Sequence, residues 1–477
     1  MNVRMICRVL GLILLCLAAL MLLPLLAGLY YGENVLNFVV TISVTACLGG
    51  VLMLFKPTAS GIFAREGFVI VGLGWILLSL LGALPFVISG SIPSYINAVF
   101  ETVSGFTTTG STILNDVEAL PRSDMFWRLF THWIGGMGVL VFIMAVLPMS
   151  GDQSMHIMRA EIPGPTVGKL VPRARRTASI LYLIYIALTL IETVFLLLGG
   201  MSFYDALLHA FATAGTGGFS TRAASISAFN SSYLEIVIAT FMLLFGINFN
   251  LYFLLLLGRA RDVFKNEELH WYLCIIVGFM LLIALGISPR YGFGTALRHA
   301  YFNVTSIIST TGFGTEDFVL WPEYCKWILV LLMFVGGCAG STSGGLKLSR
   351  VMTLLKMAGT EIKSVIRPRS INRIQIDGRR VDRGTVRAVS VFFILYIFLL
   401  LSVTFFLSFD GYDITTNFTA ALACLSNIGP GMGLVGPTGN FDIFSTFSKI
   451  LLSFTMLIGR LEIYPIIVLF SRRTWKS

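Results

Sequence analysis

Hydrophobic residues run through this chain in long stretches, each separated from the next by a short polar or glycine-rich segment. A helix needs about 20 consecutive apolar residues to cross the hydrocarbon core of a bilayer. The stretches predict ten spanning segments, at 9–30, 36–55, 68–89, 124–147, 180–200, 233–257, 271–287, 323–358, 387–408 and 441–470. Two of them, 323–358 and 441–470, are too long for one straight helix and contain breaks. The pattern predicts an all-α polytopic membrane protein.

Composition and charge indicate the same class. The 477 residues are 56% hydrophobic and 12% charged, whereas soluble domains carry about 25% charged residues. With both termini inside, 26 of the 34 Lys and Arg residues fall on the cytoplasmic side and seven on the outer side. Cytoplasmic loops collect basic residues, so the net charge of +10 requires no nucleic-acid partner. Thirteen acidic residues fall outside, which predicts a mouth that concentrates cations.

Four short segments rich in Gly and Thr lie between the apolar runs, all on the predicted outer side. They are 104–110 (SGFTTTG), 215–221 (GTGGFST), 309–314 (STTGFG) and 427–433 (NIGPGMG). Because lipid cannot hydrogen-bond irregular backbone, such a segment survives at membrane depth only inside protein or beside a wet cavity. One such segment fits close helix packing as well as it fits a pore. Four of them favour a ring of backbone carbonyls, a selectivity filter, around a pore.

A stretch that predicts a short helix precedes each Gly/Thr segment, at 95–105, 204–214, 295–308 and 414–425. These helices are too short to cross the membrane. A half-length helix that enters from outside directs its C-terminus toward the membrane centre, where its partial negative charge favours a cation. The chain then returns through the Gly/Thr segment, whose carbonyl and hydroxyl oxygens suit a weakly hydrated cation.

The same order of elements occurs four times after a two-helix N-terminal extension. The predicted divisions are 1–60 for the extension, 61–150, 151–265 and 266–365 for the first three repeats, and 366–477 for a cytoplasmic hairpin and the fourth repeat. The hairpin is predicted because Asp377 and Gly378 form a favoured two-residue turn. We expect the four pseudo-symmetric repeats to surround one pore.

The eighth apolar run is interrupted at 336–345 (GGCAGSTSGG). Each glycine costs a helix about 1 kcal/mol relative to alanine, so this stretch is expected to unwind. We predict a gating loop that lies beneath the filter, obstructs the conduit and moves to open it. The predicted gate glycines are Gly336, Gly337, Gly340, Gly344 and Gly345. The alternative is that these glycines serve close helix packing.

Two polar residues within apolar runs are further candidates. Arg460 lies in the middle of the last run, where a charge costs at least about 2.5 kcal/mol unless it faces a partner or a wet cavity. We predict that Arg460 faces the pore as part of the gate and forms an electrostatic barrier. The alternative is a buried ion pair with Glu462 or Glu192. His132 is predicted to be a hydrogen-bonded interior residue rather than a proton site.

These motifs resemble those of the Trk/Ktr/HKT superfamily of potassium transporters, and most of all those of the membrane subunit of bacterial Trk uptake systems. The resemblance covers nearly the whole chain. It is carried by residues 104–110, 131–138 (THWIGGMG), 158–165 (MRAEIPGP), 336–345, 427–433 and 459–462 (GRLE).

The resemblance implies a pseudo-fourfold pore within one chain, with the potassium ion as substrate and no cofactor. It also implies a homodimer in the bacterial inner membrane and a cytosolic nucleotide-binding regulatory subunit as partner. The potassium-binding filter residues that it implies are Thr109, Gly110, Gly217, Gly218, Thr311, Gly312, Ile428 and Gly429. Tetrameric potassium channels repeat one TVGYG loop, which this chain lacks, so some passage of sodium is expected.

Potassium uptake through a gated pore is therefore the predicted function. The alternative is a sodium- or proton-coupled secondary symporter, a class that typically has inverted repeats and intramembrane carboxylates. The repeats here run parallel, and only Glu192 and Glu462 fall in the interior of spans, away from their ends. An enzyme is not expected, because the spans contain no nucleophile–base set and no metal-ligand spacing. The basic loops 150–179 and 347–387 fit either a dock for the regulator or contacts with anionic lipid.

Overall fold

The computed structural model describes residues 1–55, 64–138, 174–367 and 374–475. Within these ranges the regular structure is helical apart from one two-stranded hairpin. The helices of the N-terminal half, numbered in chain order, are α1 (Val3–Leu20), α2 (Leu22–Tyr30), α3 (Leu36–Met53), α4 (Ala64–Gly82), α5 (Leu84–Ser89), α6 (Tyr95–Phe106), α7 (Arg122–Gly136), α8 (Ala174–Leu198), α9 (Phe203–Gly215), α10 (Ser232–Phe245), α11 (Phe249–Leu256) and α12 (Ala260–Val263).

The C-terminal half is also built mainly of helices. Its helices are α13 (Glu267–Tyr291), α14 (Phe293–Ile308), α15 (Glu323–Val335), α16 (Leu348–Ile366), α17 (Arg383–Leu407), α18 (Ile414–Ser426), α19 (Thr446–Arg460), α20 (Tyr464–Phe470) and α21 (Arg472–Trp475). Between α16 and α17, strands β1 (Gln375–Ile376) and β2 (Arg379–Arg380) pair antiparallel. This confirms the predicted hairpin, and Asp377 and Gly378 at its tip both have a positive φ.

The described residues contain six helical stretches that are long and apolar enough to cross a membrane, as expected of an all-α membrane protein. They are Val3–Tyr30, Leu36–Met53, Arg65–Ser89, Ala178–Leu198, Glu267–Tyr291 and Arg383–Asp410. The predicted span at 124–147 begins as α7, but its part beyond residue 138 lies outside the described ranges. The motif at 158–165 and most of the basic loop 150–179 lie there too.

Three predicted spans are divided by a stretch of irregular backbone or by a sharp bend. The breaks in 323–358 and 441–470 are confirmed, because α15 ends before an irregular stretch at 336–347 and α19 ends before α20. The prediction of one helix at 233–257 is wrong, since α10 and α11 meet at an angle of 88°. The side chain of Asn248 accepts a hydrogen bond from the backbone N–H of Asn250 at 2.9 Å and caps α11, so the helix restarts in a new direction.

The N-terminal extension packs against the first repeat. α1 and α2 form one span with a break at Met21, and α3 returns beside it. A Cβ atom on Gly11 would lie 2.7 Å from the carbonyl oxygen of Gly49, so the absence of a side chain lets the two helices touch. Asn37 of α3 donates to Oδ1 of the buried Asp124 at 2.8 Å, which fixes the extension to the start of α7.

The four predicted short helices are confirmed as α6, α9, α14 and α18. Two of them begin with a side-chain cap. Ser202 accepts from the backbone N–H of Asp205 at 3.1 Å, and Asp413 accepts from that of Thr416 at 3.1 Å. The C-terminal halves of all four helices are buried. Four helix ends with partial negative charge therefore lie in the interior of the protein.

Candidate ion-conduction site

The four short helices end in the same backbone conformation. The residues two positions before the predicted filter glycines, Thr108, Thr216, Thr310 and Asn427, have φ values of 54°, 55°, 58° and 54°. The next N–H group donates to the carbonyl five residues back at 2.9 Å in every repeat, in the pairs Thr109–Ser104, Gly217–Ala212, Thr311–Ser306 and Ile428–Ala423. This is the Schellman pattern of a helix end. A left-handed residue other than glycine costs about 1–3 kcal/mol, so its recurrence indicates one shared constraint.

The residues that follow form a closed ring. Each filter glycine lies so close to the next repeat that an added Cβ atom would meet one of its carbonyl oxygens. On Gly110 the Cβ would lie 2.1 Å from the oxygen of Gly217, and on Gly218 it would lie 2.0 Å from that of Thr311. On Gly312 it would lie 1.9 Å from the oxygen of Ile428, and on Gly429 it would lie 2.8 Å from that of Thr109. Each glycine therefore touches the next repeat, and the fourth repeat returns to the first. All four glycines have a φ between 75° and 100°, which glycine alone adopts readily.

One cavity opens directly onto this ring. It has a volume of about 180 Å³, and all four filter glycines line it together with Ser111, Phe219, Pro430, Asn440 and their neighbours. None of its described lining residues is acidic. The acidic residues predicted to concentrate cations at the mouth therefore do not form this wall. Glu101 and Glu118 instead pair with the lining residues Arg128 and Arg222.

The irregular stretch at 336–347, which contains the predicted gating loop, lies directly against the base of the ring. The N–H of Gly344 donates to Oγ1 of Thr310 at 2.7 Å, and a Cβ atom on Gly344 would lie 2.2 Å from the carbonyl oxygen of Ser426. The loop also folds back on itself, because a Cβ atom on Gly336 would lie 2.5 Å from the carbonyl oxygen of Gly344. The loop thus contacts the third and fourth repeats where each short helix meets the ring.

Arg460 connects this loop to the first repeat. Its guanidinium donates to the carbonyl oxygen of Thr342 at 2.7 Å and to those of Gly135 and Gly136 at 2.6 and 2.7 Å. The alternative of an ion pair with Glu462 is wrong, because Glu462 pairs with Arg350 at 2.5 Å. Arg460 does not hydrogen-bond to Glu192 either. Arg460 therefore bridges α7 and the 336–347 loop through backbone carbonyls.

Comparison with known proteins agrees with this geometry. A family model described as a cation transport protein matches residues 34–287 and 269–477. The chain belongs to the TrkH family. The Trk system potassium uptake protein TrkH of Escherichia coli K12 is 36% identical, and the match covers 100% of both chains. TrkG of the same strain is 34% identical over 100% of this chain and 99% of its own.

The structural comparison leads to the same family. The crystal structure of the potassium transporter TrkH from Vibrio parahaemolyticus matches with a TM-score of 0.91 and 32% identity, and the match covers 100% of each chain. The relatives are named as transporters. The chain is therefore a transport protein and not an enzyme.

In this TrkH-family chain the structure brings the predicted site residues together in two neighbouring groups. The eight predicted filter residues make up the ring of four repeats. The five predicted gate glycines lie in the 336–347 loop, and Arg460 bonds to that loop. Ion binding by the first group and gating by the second stay predictions.

Sequence reasoning missed a buried ion pair that supports the ring. Nε of Arg128 lies 2.7 Å from Oε1 of Glu101, and the two side chains are 2% and 0% exposed. Glu101 also accepts from the backbone N–H of Ile113, and Arg128 donates to the carbonyl oxygen of Ser220 at 3.2 Å. The pair thus joins the loop that follows the first filter segment to the second filter segment. Its only signal in the sequence is an acidic residue inside a short apolar helix.

Replacing Arg128 with Met should destabilise the protein by about 3–5 kcal/mol, because Glu101 would stay buried without its partner. The matched control is Arg222→Met, because the half-exposed side chain of Arg222 pairs at the surface with Glu118 and, at 4.0 Å, with Asp205. An exposed pair contributes about 0–1 kcal/mol. Thermal unfolding in detergent measures both variants. Equal losses of stability would contradict the supporting role of the buried pair.

His132 is a hydrogen-bonded interior residue, as predicted. Its Nδ1 lies 2.8 Å from the carbonyl oxygen of Gly105, and its Nε2 lies 3.2 Å from the backbone nitrogen of Phe219. A carbonyl only accepts and a backbone N–H only donates, so the neutral ring carries its proton on Nδ1. A Cβ atom on Gly217 would lie 2.3 Å from this ring. His132 therefore holds the first short helix against the second filter segment.

No group of three or more His, Cys, Asp or Glu side chains is placed to hold a metal ion in the described part of the chain. An ion at the ring would meet backbone carbonyls. The hydroxyl of Thr108, two residues before Gly110, is buried and has no hydrogen-bond partner among the described residues. At the outer surface, the hydrogen bond from Lys449 at 2.6 Å lowers the pKa of Asp442. Asp442 therefore stays ionised beside the loop that lines the cavity.

Proposed function

We propose that this protein takes up potassium across the bacterial inner membrane through a gated pore centred on the four-glycine ring. The observation that carries the proposal is the single cavity lined by Gly110, Gly218, Gly312 and Gly429, in which each glycine touches the next repeat. Relatives named as potassium uptake proteins support the same substrate.

A ring of carbonyl oxygens suits potassium because the oxygens can replace the water shell of a weakly hydrated cation. Thr109, Gly217, Thr311 and Ile428 place carbonyls at the four joints of the ring. The four short helices add the partial negative charge of their C-termini. Uptake needs no coupled ion, since an inside-negative potential of 100 mV supplies about 2.3 kcal/mol per charge.

The 336–347 loop is the proposed gate. It contacts Thr310 and Ser426 at the base of the ring, and Arg460 holds it to the first repeat. Opening requires the loop to leave this position. The contacts that hold it in place therefore determine how often the pore conducts, and the charge of Arg460 adds an electrostatic barrier to cations.

The pore works as a homodimer with both termini in the cytoplasm, under the control of a cytosolic nucleotide-binding regulatory subunit. Resemblance to the family supports the dimer and the subunit. The excess of Lys and Arg on the side of the termini supports the orientation. The stretch 347–387 carries much of this basic charge and offers the dock.

Symport coupled to sodium or protons is the competing mechanism. Coupled carriers are commonly built from inverted repeats around broken helices. The four repeats here end their short helices in one conformation and follow one another around the ring in chain order. A conducting pore therefore accounts better for this geometry.

Rubidium uptake into proteoliposomes that contain the purified protein tests the proposal. We expect an inside-negative potential to drive uptake at equal ion concentrations on both sides, with weak inhibition by excess sodium. Uptake that depends on a sodium or proton gradient at zero potential would favour the symporter. Absence of rubidium uptake, with and without the regulatory subunit, would contradict the proposed function.

A further inference from the structure

We infer that Glu268 and Asp377 are positioning residues that connect the cytoplasmic hairpin to the 336–347 loop. The inference rests on the proposed gating function of that loop. It adds a physical route by which a movement at the predicted cytoplasmic face reaches the base of the ring.

The inner step of the route is a hydrogen bond from the loop to α13. Oε1 of Glu268 accepts from the backbone N–H of Ala339 at 2.7 Å. Both residues are buried, at 7% and 8% exposed. The loop is therefore fixed in part by the position of Glu268.

The outer step is the contact between the hairpin tip and the start of α13. Glu268 is the second residue of this helix. Oδ1 of Asp377 accepts from the backbone N–H of Glu267 at 2.7 Å, and its Oδ2 accepts from Nδ2 of Asn266 at 3.0 Å. The backbone N–H of Asp377 donates to Oε2 of Glu267 at 3.3 Å. The first N–H groups of a helix have no acceptor within the helix. Asp377 of the hairpin supplies such an acceptor to α13.

A third contact attaches the same cluster to α16, the helix that follows the loop. Lys356 of α16 forms an ion pair with Glu267 and donates to the carbonyl oxygen of Gln375 at 2.7 Å. α16 begins where the 336–347 loop ends. The hairpin, α13 and α16 therefore meet in one cluster, and this cluster reaches the loop through the hydrogen bond between Glu268 and Ala339.

The hairpin is suited to receive a partner. Its strands have two residues each, and an isolated two-stranded hairpin is at best marginally stable, so its position depends on what it contacts. Arg379 and Arg380 are exposed on the strand that leaves the tip. An acidic surface of the regulatory subunit would bind these arginines and draw Asp377 away from α13.

Asp377→Ala tests the outer step, with Asp382→Ala as the matched control. Asp382 is exposed in the same segment and caps α17 instead, through the backbone N–H of Gly384 at 2.9 Å. We expect Asp377→Ala to raise rubidium flux without the regulatory subunit by about fivefold, because the substitution removes two exposed hydrogen bonds, to the backbone of Glu267 and the side chain of Asn266. It should also reduce the factor by which the subunit stimulates flux. Asp382→Ala should leave both quantities unchanged.

Glu268 tests the inner step. Glu268→Gln keeps an oxygen that can accept from Ala339 and should conduct like the wild type, whereas Glu268→Ala should leak. The rubidium-to-sodium ratio should not change in either variant, because the ring is untouched. The double variant of Glu268→Ala and Asp377→Ala should leak only as much as Glu268→Ala, since two changes on one route are not additive.

Two results would overturn the inference. In the first, the fold-increases in rubidium flux caused by Glu268→Ala and Asp377→Ala multiply in the double variant. In the second, the wild type conducts but Asp377→Ala has the same flux as Asp382→Ala. If the wild type itself conducts no rubidium, the proposed function and this inference are both wrong.

Discussion

Gly110→Ser should reduce rubidium uptake into proteoliposomes by about a hundredfold, since left-handed backbone strain of about 1–3 kcal/mol adds to a direct steric overlap. The new Cβ atom would lie 2.1 Å from the carbonyl oxygen of Gly217, at a φ of 84°. Either the joint between the first two repeats opens or residue 110 changes conformation. Both outcomes displace a carbonyl of the ring, so the remaining flux should also discriminate less against sodium.

Substitutions at two other glycines provide comparisons for the effect of Gly110→Ser. Gly314 lies two residues beyond a filter glycine and lines the same cavity, but a Cβ atom there would make an ordinary 3.6 Å contact with Pro437. Gly314→Ala should therefore keep nearly normal uptake. Gly429→Ala should be the mildest change at a filter glycine, because its closest approach to a carbonyl oxygen is 2.8 Å. Equal losses for Gly110→Ser and Gly314→Ala would contradict a specific role of the ring.

Arg460→Ala should raise rubidium flux in the absence of the regulatory subunit by about tenfold or more, because each hydrogen bond from a charged donor contributes about 1.5–3 kcal/mol. The substitution removes the bonds to the carbonyls of Thr342, Gly135 and Gly136. Without them the 336–347 loop loses its connection to the first repeat. Flux measured at a fixed membrane potential reports the change.

Arg460→Lys separates the two ways in which this residue could act. Lysine keeps the positive charge, but its compact ammonium lacks the planar fork that reaches carbonyls on two different elements. If bridging holds the loop, Arg460→Lys should leak almost as much as Arg460→Ala. If the charge alone is the barrier, Arg460→Lys should conduct like the wild type. Wild-type flux in both variants would exclude a gating role for Arg460.

The helices were predictable because their signal is local. A run of apolar residues reports burial in lipid or protein wherever it occurs, and a run that is too short to span is visible without knowledge of its neighbours. The fourth short helix was predicted at 414–425 and is found at Ile414–Ser426. The four filter segments were identified in the same way, since a Gly/Thr-rich stretch between spans is itself unusual at membrane depth.

The features that were missed depend on contacts between distant parts of the chain. The bend between α10 and α11 is stabilised from the 336–347 loop, through Cys338 N–H to the carbonyl of Gly246 at 3.0 Å and Phe249 N–H to the carbonyl of Gly340 at 3.1 Å. Every residue has a backbone carbonyl, so a contact made through carbonyls cannot be recognised from residue types. A sequence can therefore suggest a carboxylate partner for Arg460, but it cannot indicate the carbonyls that Arg460 contacts.

The fourth joint of the ring differs from the other three. The Cβ distance at Gly429 is 2.8 Å rather than 1.9–2.1 Å, and the hydroxyl of Ser111 donates to its carbonyl oxygen at 3.2 Å. In a homotetrameric channel a substitution appears in all four subunits. In this single chain it changes only one of the four repeats that form the ring. Single substitutions can therefore change ion preference in small steps during evolution. Gly429, at the joint with the most space, is the position where a larger side chain should disturb the ring least.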